Sequence, residues 1–212
     1  MDRLIVQVIV PLSVLLPICA GIYYYSRISA GMKIILAYLA VAAVFNFIAV
    51  LLSKHHLNNM PLLHVYTVVE FTCCALFFRS ALKGSVLAKR IPFIIMGFAL
   101  FGIINVIFFQ NIFSLSSYSR SAEAILLILF CLLLFYRLLQ VTQKVPPDAA
   151  AFQWVGLGFF FYFSGSLFLF LFPAFNHADQ TIYQFGWVIH SILVLLMYLF
   201  FSMAFYISAR TS

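Results

Sequence analysis

The stretch 55-HHLNNMPLLHVYTVVEFTCC-74 decides how this chain is read. It opens as a polar turn: two histidines, two asparagines and, at Pro61, a residue suited to the first turn of a helix. From Pro61 the chain is apolar to Phe78, where Arg79 closes the run. Eighteen residues of this kind are close to the ~20 that cross a bilayer core at about 1.5 Å per residue. Yet His64 and Glu70 lie inside the run, Glu70 about 13 Å from its start. A charge near the bilayer centre costs about 3 kcal/mol. The stretch is thus read as a membrane helix carrying two costly residues.

The rest of the chain supports this. Hydrophobic residues make up 66% of 212 and charged residues 8%, against about 25% in soluble domains. Six further apolar runs lie between cationic or turn-forming residues. The expected spans are Leu4–Tyr25, Ile34–Ser53, Pro61–Phe78, Ile91–Phe109, Ser121–Tyr136, Phe152–Phe172 and Tyr183–Ile207. The runs are too long and continuous for barrel strands. Leu4–Tyr25 exceeds the 7–15 apolar residues usual in a signal peptide and lacks a basic start, so it reads as a span. The expectation is an all-α integral membrane protein, one seven-helix transmembrane bundle over residues 1–212.

Lys and Arg set the orientation. Arg27, Lys33, Arg79, Lys83, Lys89, Arg90, Arg137, Lys144 and Arg210 fall on one side, nine in all; Arg3, Lys54 and Arg120 fall on the other. Positive residues stay cytoplasmic, which puts the N-terminus outside and the C-terminus in the cytoplasm, in a membrane such as the bacterial plasma membrane. The same distribution explains the net charge of +7 without nucleic acid, since no basic run is interleaved with aromatics. Cys19, Cys73, Cys74 and Cys131 sit singly or adjacent in apolar runs, without zinc-ligand spacing. No lysine follows Lys144, so the last helix offers no retinal Schiff base. Neither GxSxG, a P-loop nor a dinucleotide fingerprint occurs.

With this orientation the costly residues gather in the outer half of the membrane. Asn46, His64, Glu70, Asn105, Arg120, Glu123 and His190 come from five expected helices, Arg120 at the mouth of the fifth span. Tyr66 lies on Glu70's face by i, i+4 spacing, and Arg120 and Glu123 are i, i+3 neighbours, spaced for a salt bridge. Tyr162 lies beside the small step Ser164-Gly165-Ser166, and Trp187 one turn before His190. His64 is rotated about 120° from Glu70 on their helix, so the two do not chelate together. These ten residues form the candidate ligand-binding set: an outward-facing polar-aromatic pocket for a small, partly apolar molecule, with Glu70 bonded to a partner such as His190. The competing reading is that these side chains satisfy one another as glue between helices.

Three functions suit such a pocket. The first is a sensor or receptor-like subunit, whose short loops would need a signalling partner in the membrane or cytoplasm. The second is a small-molecule or proton-coupled transporter, since buried ionisable residues mark such paths. The third is an intramembrane metal-dependent hydrolase, with a metal held by His64, Glu70, Glu123 and His190, a donor set suited to zinc or iron. No cofactor is expected for the first two, and the absence of a nucleophile motif weighs against the third.

Overall fold

A computed structural model describes residues 10–114, 116–140, 148–171 and 180–211, without the side chains of 10, 11, 170, 171, 180–184 and 187. All regular structure in these residues is helical. The elements are α1 (Val10–Ser13), α2 (Leu15–Tyr23), α3 (Ala30–Lys54), α4 (Met60–Ala81) and α5 (Val86–Ile104). A π-helical turn (Asn105–Phe109) continues α5, and α6 (Ser117–Gln140), α7 (Ala149–Leu171) and α8 (Gln180–Thr211) follow. Six of these helices, counting α5 with its π-turn as one, are long and apolar enough to cross a membrane. The molecule is a helical, multi-pass membrane protein.

The first expected span is only partly within the described residues. What is seen of it is broken at Val14 between α1 and α2, with Pro17 buried inside α2. Other helices begin earlier than the apolar runs suggest, because polar side chains cap them. The Ser29 hydroxyl accepts from the Met32 amide at the start of α3, and the Ser85 hydroxyl from the Ala88 amide at the start of α5. Helix α5 therefore starts at Val86 rather than Ile91 and carries Pro92 in its interior. Asn58 Oδ1 accepts from the Met60 amide before α4, whose first turn also tolerates Pro61. Helix α6 starts at Ser117, which places Ser119 and Arg120 inside the helix rather than ahead of it.

Helix α4 packs on α3, α5 and α6; α7 packs on α6 and α8; α2 bridges α8 and α3. The path α2–α3–α4–α6–α7–α8 closes on itself, and α5 lies outside it against α4. The interior of this ring is aromatic. Phe159 of α7 lies 5.0 Å from Phe201 of α8, 5.9 Å from Phe78 and 6.1 Å from Phe77 of α4, centroid to centroid, and all four rings are buried. Aromatic pairs at these separations are worth roughly 0.5–1.5 kcal/mol beyond their area burial.

The ends of the bundle have different chemistry. At one end the Ser29 amide donates to Ser208 Oγ, which donates to Asp148 Oδ1, tying the starts of α3 and α7 to the end of α8. Arg137 Nη2 donates to the Lys83 carbonyl at 2.6 Å, beside Gly84 in the left-handed region at φ 91°. Lys33 lies over the Tyr25 ring at 4.7 Å and Arg210 over Tyr206 at 4.4 Å, the pairing of cations and amphipathic rings usual at a membrane interface. Lys33, Lys83, Arg137 and Arg210, four of the cations counted above, thus lie at this end, while Lys144 lies outside the described residues. At the other end Asn58 Nδ2 donates to the Phe113 carbonyl, joining the α3–α4 and α5–α6 connections.

Candidate functional site

The tyrosine above the aromatic layer, Tyr38, begins the polar site. Its ring lies 5.9 Å from Phe159 and 6.5 Å from Phe201, while its hydroxyl donates to Glu70 Oε1 at 2.8 Å. The Tyr66 hydroxyl, one helical turn before Glu70, donates to the same oxygen at 3.1 Å. Glu70 is 2% exposed, and its second oxygen, Oε2, is buried with no hydrogen-bond partner. The i, i+4 geometry of Tyr66 and Glu70 was legible in the sequence; the bond from Tyr38 on α3 was not.

Glu123 of α6 repeats the pattern. It is 1% exposed, and its Oε1 has no hydrogen-bond partner. Arg120, one turn earlier, is half-buried, with its guanidinium 6.0 Å from the Tyr66 ring centroid. Helix α4 packs on α6, so Glu70 and Glu123 lie on neighbouring helices in the low-dielectric interior, where charges interact far more strongly than in water. Arg120 and Glu123 lie one turn apart on α6, as their i, i+3 spacing requires.

Helices α7 and α8 supply the far wall. Tyr162 is buried and lies 5.5 Å, ring to ring, from His190. His190 Nδ1 shares a hydrogen bond with Ser166 Oγ at 3.1 Å. Glu70 bonds tyrosines rather than His190. The Ser164-Gly165-Ser166 step brings the helices together, since a Cβ built on Gly165 would fall on the Leu193 side chain.

The remaining expected residues lie apart. His64 is buried, and its Nε2 meets the Ser114 carbonyl at 3.1 Å, so it holds the α5–α6 connection. Asn105 is buried at the start of the π-turn; its Nδ2 donates to Gln110 Oε1 at 2.9 Å and Ser119 Oγ at 3.2 Å. Asn46 is exposed on α3. The backbone of Trp187 lies in α8, and its side chain is outside the described residues. Among the described residues no three His, Cys, Asp or Glu side chains form a group that could hold a metal ion.

The residues missed by sequence are Tyr38 and Ser166. A signal existed for Tyr38, which lies one turn inside the expected span Ile34–Ser53, since a buried phenol usually finds a hydrogen-bond partner. No protein-family model matches the chain, and neither a curated protein nor a solved structure matches it significantly.

Proposed function

We propose that this chain is a ligand-binding membrane protein, a sensor or receptor-like subunit that takes a small, partly apolar molecule between α3, α4, α6, α7 and α8. One observation carries the reading. Glu70 and Glu123 each bury a carboxyl oxygen with no hydrogen-bond partner. Side chains that served only as glue between helices would be expected to satisfy such atoms, because each buried unmade bond costs about 1–3 kcal/mol, more when charged. A retained orphan is better explained by a partner that comes and goes.

In this reading the ligand enters from the face poor in Lys and Arg, which is the outer face of a bundle with a cytoplasmic C-terminus. The aromatic layer of Phe77, Phe78, Phe159 and Phe201 lies toward the cationic face from Tyr38 and Glu70 and forms a floor. That layer favours sensing over transport, which needs access from both faces. Signal output would pass to a partner, since the connections described here are short.

Native mass spectrometry of gently solubilised protein tests the proposal. A bound organic molecule present in the wild type and lost in Glu70→Gln supports it. If no small molecule accompanies the wild type, and if Glu70→Gln and His190→Ala leave every ligand-dependent melting shift unchanged, the site is wrongly placed.

A further inference from the structure

At the end of the bundle poor in Lys and Arg, α5 stops in an unusual way. Its last turn is π-helical, Asn105–Phe109, and the chain leaves it extended at Gln110. A helix ends on four carbonyls without intrahelical partners, at the negative end of its dipole. Here the connection returns one amide to them, Gln110 N to Asn105 O at 2.8 Å. The usual complement, a basic side chain in the last turn, is missing from Asn105–Phe109. An open cavity of about 390 Å³ lies at this helix end, lined by Val106 through Ile112. That volume is within the roughly 300–1,000 Å³ of small-molecule sites.

The two polar side chains of the lining are oriented by main-chain amides, which only donate. Gln110 Oε1 accepts from the Tyr118 amide at 3.3 Å and from Asn105 Nδ2 at 2.9 Å. Asn111 Oδ1 accepts from the Phe113 amide at 2.9 Å. Gln110 Nε2 and Asn111 Nδ2 thus remain as donors. The cavity offers these neutral donors beside the acceptors of a helix end, and no formally charged residue lines it. A zwitterion with N–H groups matches both halves: its phosphate meets the amides and its ammonium meets the carbonyls. A quaternary ammonium has no N–H for the carbonyls, and an anion alone opposes the helix dipole. The apolar surface beside the cavity identifies the ligand as a lipid rather than a free headgroup. Helix α5 lies outside the ring of helices, and Phe93, Met96, Leu100, Ile103 and Ile107 are exposed along one face of it. From Phe93 to Ile107 that face runs about 21 Å at 1.5 Å per residue, longer than one leaflet of a hydrocarbon core about 30 Å thick. We propose that the π-turn of α5 seats the headgroup of a phosphatidylethanolamine-type lipid, with its acyl chains along the exposed face of α5.

The test uses the full chain in nanodiscs made from equal parts of dioleoyl phosphatidylethanolamine, phosphatidylcholine and phosphatidylglycerol. Native mass spectrometry then counts the lipids that stay bound. The ethanolamine lipid should be retained over the choline lipid about tenfold or more, since a factor of ten is about 1.4 kcal/mol, the scale of one bond to a charged group. Phe109→Lys places the missing cation at the helix end, where its stem can snorkel, and should bring that ratio to about one. Phe109→Leu should leave it unchanged. Ile107→Lys repeats the test at a second exposed position, in case the first variant fails to fold. Equal retention of the two lipids by the wild type means that water serves the helix end, and overturns the proposal. Preference for phosphatidylglycerol overturns it as well, because the site would then select an anion. A pair of chains free of lipid gives the face of α5 to a second copy and overturns it. An ethanolamine preference that survives both lysine variants overturns the placement at the π-turn.

Discussion

The Tyr38 hydroxyl donates to Glu70 Oε1 at 2.8 Å, joining two helices across 32 residues of chain. Both groups are buried, so the bond stabilises the bundle as well as orienting the carboxyl. Bonds to charged groups are worth about 1.5–3 kcal/mol. Tyr38→Phe should therefore lower unfolding free energy by about that amount. Tyr66→Phe, whose bond is longer and only partly buried, should cost less. Because both hydroxyls serve one oxygen, the double variant should cost more than the sum of the two single ones. Reversible unfolding in mixed micelles measures all three; a neutral Tyr38→Phe would remove this bond from the stability argument.

Helices α7 and α8 approach closely at Gly165, where a Cβ would land on Leu193. Gly165→Ala should destabilise by about 1–3 kcal/mol through overpacking. Because Ser166 and His190 pair across the same contact, it should also weaken any ligand response. Gly97 on α5 is the matched control, with nothing within 4 Å of its built Cβ. Gly97→Ala should be neutral or stabilising by up to about 1 kcal/mol from helix propensity alone. Equal effects at the two positions would mean that the α7–α8 contact is looser than the geometry indicates.

The orientation follows from charge and can be checked by labelling. The four native cysteines are free, so they can be replaced to give a cysteine-less background. Lys83 and Asn111 are exposed at opposite ends of the bundle. A membrane-impermeant maleimide applied to intact cells should label Asn111→Cys and spare Lys83→Cys until the cells are opened. The reverse pattern would invert the bundle and move the polar site to the cytoplasmic half.

Helix positions were legible because lipid demands long apolar runs, and no soluble context competes with that signal. Helix starts were less legible. Helix α5 begins at Val86 behind its Ser85 cap, five residues before Ile91, and α6 at Ser117, four residues before Ser121, over stretches that hydropathy alone reads as connection. Within the candidate site, Glu70, Glu123, Arg120 and His190 were marked by their cost in lipid, and Tyr66 by its i, i+4 spacing from Glu70, to which its hydroxyl donates. Their partners were not legible, since pairing between helices depends on rotation about each axis. His64 shows the limit: the same cost argument selects it, but its ring turns to the Ser114 carbonyl.

Asn46 and Asn105 make the last comparison, because sequence gave them equal standing and the structure separates them. Asn105 is 1% exposed and donates to Gln110 and Ser119 where α5 passes into its π-turn. Such turns depend on side chains that compensate the altered backbone ladder. Asn105→Leu removes two donors from buried or half-buried acceptors and should cost about 2–4 kcal/mol, near the sum of two net bonds and the desolvation left behind. Its reach should extend to the site, since Ser119 adjoins Arg120 on α6. Asn46 is exposed, so Asn46→Leu exchanges a polar group for an apolar one on the lipid side and should be neutral or stabilising. Unfolding in bicelles distinguishes the two. A costly Asn46→Leu would instead mean that α3 meets a further partner through that face.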